Sequence, residues 1–407
     1  MLRRLVHLVG LVVVLFVAAA AAAFGGFVAW RRSGEAREDA AFRAHVRLQD
    51  GPHATWVDGE RLRIARAWFD PHAGRYAAVE QTLPCQAAAA AAAAIDPNAT
   101  IDCQPAEPRI PATASARVVA AISDVHGHYN HLARLLQSAG VVDGQLDWAF
   151  GANHLVIAGD ILDKGPEITR ALWLVKKLER QARDAGGHLH FLLGNHEYLA
   201  LTGRSRISDR KYIELTSALG VAYPSLFSPA TELGRWIRGH GVAVRINDTL
   251  FVHAGLSPDL VARGVPIDRL NKLARESLST DGLRAWSPED LAVTELIWGR
   301  QGVTSYRAYF DRSLPLGFWR ALRGDLRENR AATATLAAGL DRYGSRRIVV
   351  GHTETRRILK LFEGRLVAIC QRMAEFDHVD PEARAELLLI EGGRLTGVTA
   401  GGMRRPL

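Results

Sequence analysis

Cysteine is scarce in this chain: 407 residues carry three, at positions 85, 103 and 370. So few thiols argue against a metal site built on thiolates. A long basic run is also missing. Lys and Arg outnumber Asp and Glu by 51 to 43, for a net charge of +8, but they are scattered. No stripe of basic residues interleaved with aromatics appears, so no nucleic-acid partner is expected. The basic surface attracts anionic substrates modestly. No internal repeat is evident. Between Leu5 and Trp30 there is no Lys, Arg, Asp or Glu at all. About twenty apolar residues suffice to cross a bilayer as a helix. Arg3 and Arg4 precede this run, and Arg31 and Arg32 follow it. Residues 1–31 therefore read as a transmembrane anchor, with Trp30 at the interface, or as a signal segment cleaved within Ala18–Ala23.

Cys85 and Cys103 bracket a segment with eight consecutive alanines. Downstream of an export-like run, the pair reads either as a disulfide of an oxidising compartment or as two unpaired thiols. A disulfide places the rest of the chain outside the cytoplasm, membrane-anchored and periplasmic, or secreted if the signal is removed. Residues 32–49 are charged and Ala-rich, a helical linker. Residues 50–115 hold a small β element and the Cys-bounded insert. Trp56, Leu62, Ile64 and Trp68 alternate there around an Asp58-Gly59 hairpin turn. From 116 to 400 the rhythm becomes strand, helix, strand, helix.

Five apolar strands in that region end in residues able to bind metal, each near a glycine: Asp124 and His126, Asp160, Asn195, His253, and His352. Asp124 and His126 stand two apart, so on extended backbone they share one side. Strand ends of open α/β sheets are where such folds place their sites. The donors are oxygen and nitrogen, which suits Mn, Fe or Zn. A carboxylate can bridge two cations, and Asp160 is the natural bridge. A phosphoryl transfer at such a centre also needs a proton donor for the leaving oxygen. His196 fits that role, with Asp163 to orient its ring.

The ordered motifs Asp-x-His-Gly, Gly-Asp-x-x-Asp-x-Gly, Gly-Asn-His-Glu, Val-His-Ala-Gly and Gly-His-Thr resemble those of the phosphoprotein phosphatase superfamily of metallophosphoesterases. The resemblance runs from about Ala116 to Ile390. LLGNHEYLALTG, FVHAGLSPDL and LIWGR look most like the Shewanella-like, bacterial-type branch. The resemblance implies a calcineurin-like α/β fold, a two-sheet sandwich flanked by helices. It implies two metal ions, the first held by Asp124, His126 and Asp160, the second by Asp160, Asn195, His253 and His352. It makes His196 the proton donor with Asp163 as partner, and it makes Arg300, Lys164 and Asn195 candidate phosphate contacts. Lys164 departs from the Arg usual in the second motif; a point charge replaces a planar fork. The remaining His128, His131, His154, His240 and His378 read as structural or surface residues.

The implied activity is phosphomonoester hydrolysis on a phosphorylated protein or peptide, by direct attack of metal-activated water. Two alternatives stand beside it: the same centre acting on small molecules such as dinucleoside polyphosphates or phosphodiesters, and a membrane-anchored binding protein whose site has decayed.

Overall fold

A computed structural model describes residues 49–104, 111–205, 209–279, 286–311, 326–371 and 385–407. All of them belong to the unit Gln49–Leu407. The apolar run and the linker expected within 1–48 lie outside the described residues. Among the described residues no helix is long and apolar enough to cross a membrane.

The chain enters through three antiparallel strands, β1 (Gln49–Trp56), β2 (Arg61–Asp70) and β3 (Arg75–Pro84). The Asp58 side chain builds the first turn, its Oδ1 accepting from the amides of Glu60 at 2.9 Å and Arg61 at 2.8 Å. The expected hairpin is present, with a third strand added. Helix α1 (Cys85–Ile95) follows, and Cys85 is bonded to Cys103. Ala88 and Ala92, four apart and fully buried, form its inward face. Asn98 is buried, so the Asn-Ala-Thr triplet there offers no room for a glycan.

Two six-stranded sheets make up the rest. One contains β4 (Thr113–Ala114), β8 (Ala243–Ile246), β9 (Thr249–Val252), β10 (Arg347–Val350), β11 (Leu359–Leu361) and β12 (Leu366–Ala368), in the order β11-β12-β10-β9-β8-β4. The other contains β5 (Val118–Ile122), β6 (His154–Ile157), β7 (His188–Phe191), β13 (Glu386–Glu391), β14 (Arg394–Thr399) and β15 (Arg404–Pro406), in the order β15-β14-β13-β5-β6-β7. The two-sheet sandwich inferred from the motifs is therefore present. Its pairing begins at Thr113 and runs to Pro406, because β4 joins β8 and β15 joins β14.

β5, β6 and β7 are parallel, and every residue of β5 and β6 is buried. Burial on both faces explains why they read as unbroken apolar runs. Alternate residues meet between the sheets: Val119, Ala121, Val156 and Ala158 from one side, Val244, Phe251, Val349 and Val367 from the other. Helices cover the outside, among them α2 (Tyr129–Ser138), which follows β5, and α3 (Ile168–Asp184), which follows β6. Trp173 of α3 donates to the Pro52 carbonyl at 3.0 Å, and Lys176 donates to the Thr100 carbonyl at 2.7 Å. The N-terminal strands and the stapled insert are thus both tied to one helix of the sandwich. His131, His154 and His240 are buried in the structural roles expected of them. His240, for example, pairs with Glu179 at 3.2 Å. His378 lies outside the described residues.

Candidate metal centre

The five strand ends converge. Asp124 and His126 follow β5, and Asp160 follows β6. Asn195 opens α4 (Asn195–Leu201) directly after β7. His253 follows β9, and His352 follows β10. The backbone is forced at these turns. Asp124, His126, Asp160, Asp163, Lys164 and His352 all have positive φ, six of the ten non-glycine residues that do so among those described. Such backbone is unfavourable for residues with a Cβ and persists where the surroundings over-determine it. The neighbouring glycines admit the close approach. A Cβ on Gly194 would strike the Asp160 carboxylate, and one on Gly351 would strike Ser123 and Asp124.

Asp160 is the centre, 1% exposed. Its Oδ2 lies 3.2 Å from His253 Nε2, 3.8 Å from His126 Nε2 and 3.9 Å from His196 Nε2. Two groups able to hold a cation share it: His126, Asp160 and His196, and Asp160, His253 and His352. Asn195 Oδ1 is 3.1 Å from His253 Nε2. Asp124 Oδ1 is 3.9 Å from His126 Nε2, while its Oδ2 accepts from Ser123 and from the His352 amide. All six candidate ligands are therefore brought together.

The tautomers fit metal binding. His126 Nδ1 meets the Leu162 carbonyl at 2.9 Å, and His253 Nδ1 meets the Ala158 carbonyl at 2.7 Å. A carbonyl can only accept, so each Nδ1 carries a hydrogen, which leaves Nε2 as the nitrogen available to a cation. This is how second-sphere acceptors fix a ligating imidazole. Buried carboxylate and imidazole, with no thiolate among the six, form a donor set for borderline and hard cations.

Electrostatics around the centre are steep. Burial raises the Asp160 carboxyl, but His253, His196 and His126 outweigh it and hold the carboxyl well below its ordinary value. Burial lowers His253, yet Asp160 beside it brings the ring up to about 9. His352 goes the other way, down to about 2, because burial is joined by His253 and Arg307.

His196 differs from the other imidazoles. Its side chain is 21% exposed, against 8% for His126 and 0% for His253. Its Nδ1 meets Asp163 Oδ2 at 2.9 Å. Burial lowers its pKa, but the bond to Asp163 and the charge of Asp160 raise it overall. It is thus a charge-capable ring, more exposed than its neighbours, with its Nε2 3.9 Å from Asp160 Oδ2. Asp163 is itself buried and accepts on Oδ1 from Ser205 at 2.5 Å and Tyr223 at 3.0 Å.

Lys164 reaches the centre, its Nζ 2.8 Å from His126 Nε2. Arg300 is exposed on the turn that follows Trp298 and makes no hydrogen bond or ion pair to the cluster among the described residues. The helices between are α5 (Arg210–Leu219), α6 (Glu232–Arg238), α7 (Pro258–Arg263), α8 (Ile267–Leu278) and α9 (Pro288–Trp298). The arginine that does arrive is Arg307, with Nε 2.6 Å from His352 Nε2. No motif marks it, and only the fold brings it in.

Glu197 was not foreseen either. It is fully buried and accepts four backbone amides: Asp160 and Gly194 on Oε2, Ile161 and Leu162 on Oε1, at 2.8 to 3.1 Å. All four partners donate, which the ionised form satisfies on both oxygens. Its place in Gly-Asn-His-Glu, three residues past the helix cap, was the available clue.

Residues 117–354 match the family described as calcineurin-like phosphoesterase. An uncharacterized protein of Schizosaccharomyces pombe is 30% identical over 264 residues, 62% of this chain and 72% of the relative. A Shewanella-like protein phosphatase 1 of Plasmodium berghei is 25% identical over 241 residues, 58% of this chain and 60% of the relative. Among solved structures, a cold-active protein-tyrosine phosphatase of a psychrophilic Shewanella species superposes with a TM-score of 0.68 at 27% identity. The match covers 88% of this chain and 99% of that one.

Proposed function

The chain belongs to the calcineurin-like phosphoesterases, metal-dependent hydrolases with a dinuclear site, and from that premise we propose that it removes phosphate from phosphorylated proteins or peptides. The proposal rests on one observation above all. Two cation-sized groups of donors share the buried Asp160 carboxylate, and His196, the more exposed ring of the first group, is paired with the buried Asp163. The protein phosphatase relative and structural neighbour favour a protein substrate over a small one.

In this reading Asp124, His126 and Asp160 hold one cation, and Asp160, Asn195, His253 and His352 hold the other, as Mn, Fe or Zn. Bound there, the pair supplies Lewis acidity towards the phosphoryl oxygens and lowers the pKa of water. The chain's own residues do the rest. Ala158 and Leu162 carbonyls aim the ligand rings. Lys164 and Arg307 face the site as cations for the phosphate, Arg307 taking the place expected for Arg300. His196 Nε2–H points a proton towards the leaving oxygen, and Asp163 holds the ring in that tautomer. We place the catalytic unit outside the cytoplasm, on the support of the bonded Cys85 and Cys103 and the apolar run 5–30, which would anchor it to the membrane.

The test is a substrate profile of metal-reconstituted protein across phosphoserine, phosphothreonine and phosphotyrosine peptides, dinucleoside polyphosphates and phosphodiesters. Preference for a phosphopeptide is expected. Turnover confined to dinucleoside polyphosphates or diesters would replace the protein substrate with a small molecule.

A further inference from the structure

Asp163 lies at the meeting point of two distant parts of the chain. Its Oδ2 faces His196 Nδ1 at 2.9 Å. Its Oδ1 accepts two hydroxyls, Ser205 at 2.5 Å and Tyr223 at 3.0 Å. These hydroxyls lie 42 and 60 residues from Asp163 along the chain. Both come from the excursion that leaves α4, runs through α5 and ends in the 3-10 turn Tyr223–Phe227. Tyr223 is buried, packed edge-on against Tyr212 of α5 and Phe227. The same excursion grips the loop that carries Asp163 further along. Lys211 donates to the Pro166 carbonyl at 2.8 Å, and the Tyr212 hydroxyl accepts from the Thr169 amide at 3.0 Å.

A carboxylate with positive φ behind it and one imidazole in front would be free to swing about its χ2 bond. Two hydroxyls on the rear oxygen remove that freedom. They leave Oδ2 alone to receive the His196 N–H, and so fix where His196 Nε2 points. A general acid must stand within hydrogen-bond reach of the atom it protonates, so the aim of Nε2 bears directly on its efficiency.

We propose that Tyr223, assisted by Ser205, is a positioning residue for proton donation: it clamps Asp163 so that His196 is aimed at the leaving-group oxygen. The inference rests on the reading of His196 as the acid. In the step it serves, the bond from phosphorus to the leaving oxygen breaks, water supplies the new oxygen on phosphorus and keeps one hydrogen there while its other proton goes to solvent, and His196 Nε2–H passes its proton to the departing alkoxide. Tyr223 transfers no proton. It acts through Asp163, and its effect is therefore confined to reactions that need the acid.

The test compares a phosphoserine peptide, whose alkoxide must be protonated, with nitrophenyl phosphate, whose phenolate leaves unaided. Full-length protein reconstituted with manganese is assayed as wild type, Tyr223→Phe, Ser205→Ala, His196→Asn, Asp163→Asn, and Tyr223→Phe combined with Asp163→Asn. One hydroxyl hydrogen bond corresponds to roughly three- to tenfold in rate. Tyr223→Phe is expected to lower kcat on the peptide by about that factor, with KM little changed and nitrophenyl phosphate turnover nearly kept. Ser205→Ala, at a half-buried position, should show the same bias. On top of Asp163→Asn, Tyr223→Phe should add nothing, because the clamp then holds an amide that no longer serves the acid. An equal loss on both substrates, or a full further loss in the Asp163→Asn background, would assign Tyr223 to packing alone and overturn the proposal. If His196→Asn itself shows no leaving-group bias, the reading of His196 has failed instead, which separates the two outcomes.

Discussion

Replacing Lys211 with Met should reveal how strongly the N-terminal strands are bound to α5. Lys211 and Asp50 form a buried ion pair at 2.6 Å, their side chains 2% and 3% exposed. Removing one member of such a pair leaves the other charge desolvated and typically destabilises by about 3–5 kcal/mol. Here His53 also stands 3.1 Å from Asp50 and Tyr212 stands 3.4 Å from it, so part of the attraction survives. That places the loss near the lower end, ~3 kcal/mol. It should be read as a lower urea midpoint at neutral pH with an unchanged slope. Adding Asp50→Asn to Lys211→Met removes the orphaned charge and should recover part of the loss. The pH dependence follows from the same pair. Burial pushes the Asp50 carboxyl up, but Lys211 and His53 outweigh it, and the carboxyl sits far below the ordinary aspartate range. A depressed folded-state value means stability present above the unfolded value of about 3.9 and lost as pH falls below it. The wild type should therefore weaken below about pH 4 more steeply than Asp50→Asn does. A Lys211→Met midpoint equal to wild type, or a double variant less stable than both singles, would refute the reasoning.

Two further outcomes concern the centre and the staple. Asp160→Asn should lose bound metal and phosphatase activity together, measured by elemental analysis beside a turnover assay; full activity with two metals per chain would break the shared-carboxylate assignment. Replacing Cys85 and Cys103, which are 18 residues apart, by Ser should lower Tm, with a loss of at most about 3 kcal/mol from the closed loop. Alkylation mass spectrometry on protein from its native envelope should find both bonded, and finding both free would withdraw the extracytoplasmic placement.

The cluster of candidate ligands was legible in the sequence because its geometry is local. Each candidate sits at the end of an apolar run, near a glycine, and the crowded turns require Gly194 against Asp160 and Gly351 before His352. Two-residue periodicity then assigns the faces, and the strands identify themselves by being buried on both sides. What escaped notice has no such period. Tyr223 and Ser205 reach Asp163, Lys211 reaches Asp50, and Arg307 reaches His352 only after separate elements have packed. Arg300, by contrast, lies in a recognisable Trp-Gly-Arg and is exposed on the turn after α9. β15 was missed because Arg404, Arg405 and Pro406 carry no strand-like alternation; pairing with β14 makes the strand.

Glu197 has a further effect, on motion. Its two oxygens hold amides from both the Asp160–Leu162 turn and the Gly194 turn, so neither turn can open without breaking bonds shared with the other. Amides released only through a common opening exchange with solvent at a common rate. The four should therefore exchange hydrogen for deuterium as one slow group. One carboxylate thus couples the turn that carries Asp160 to the turn that precedes Asn195, and the expected consequence is that the two strand ends move together.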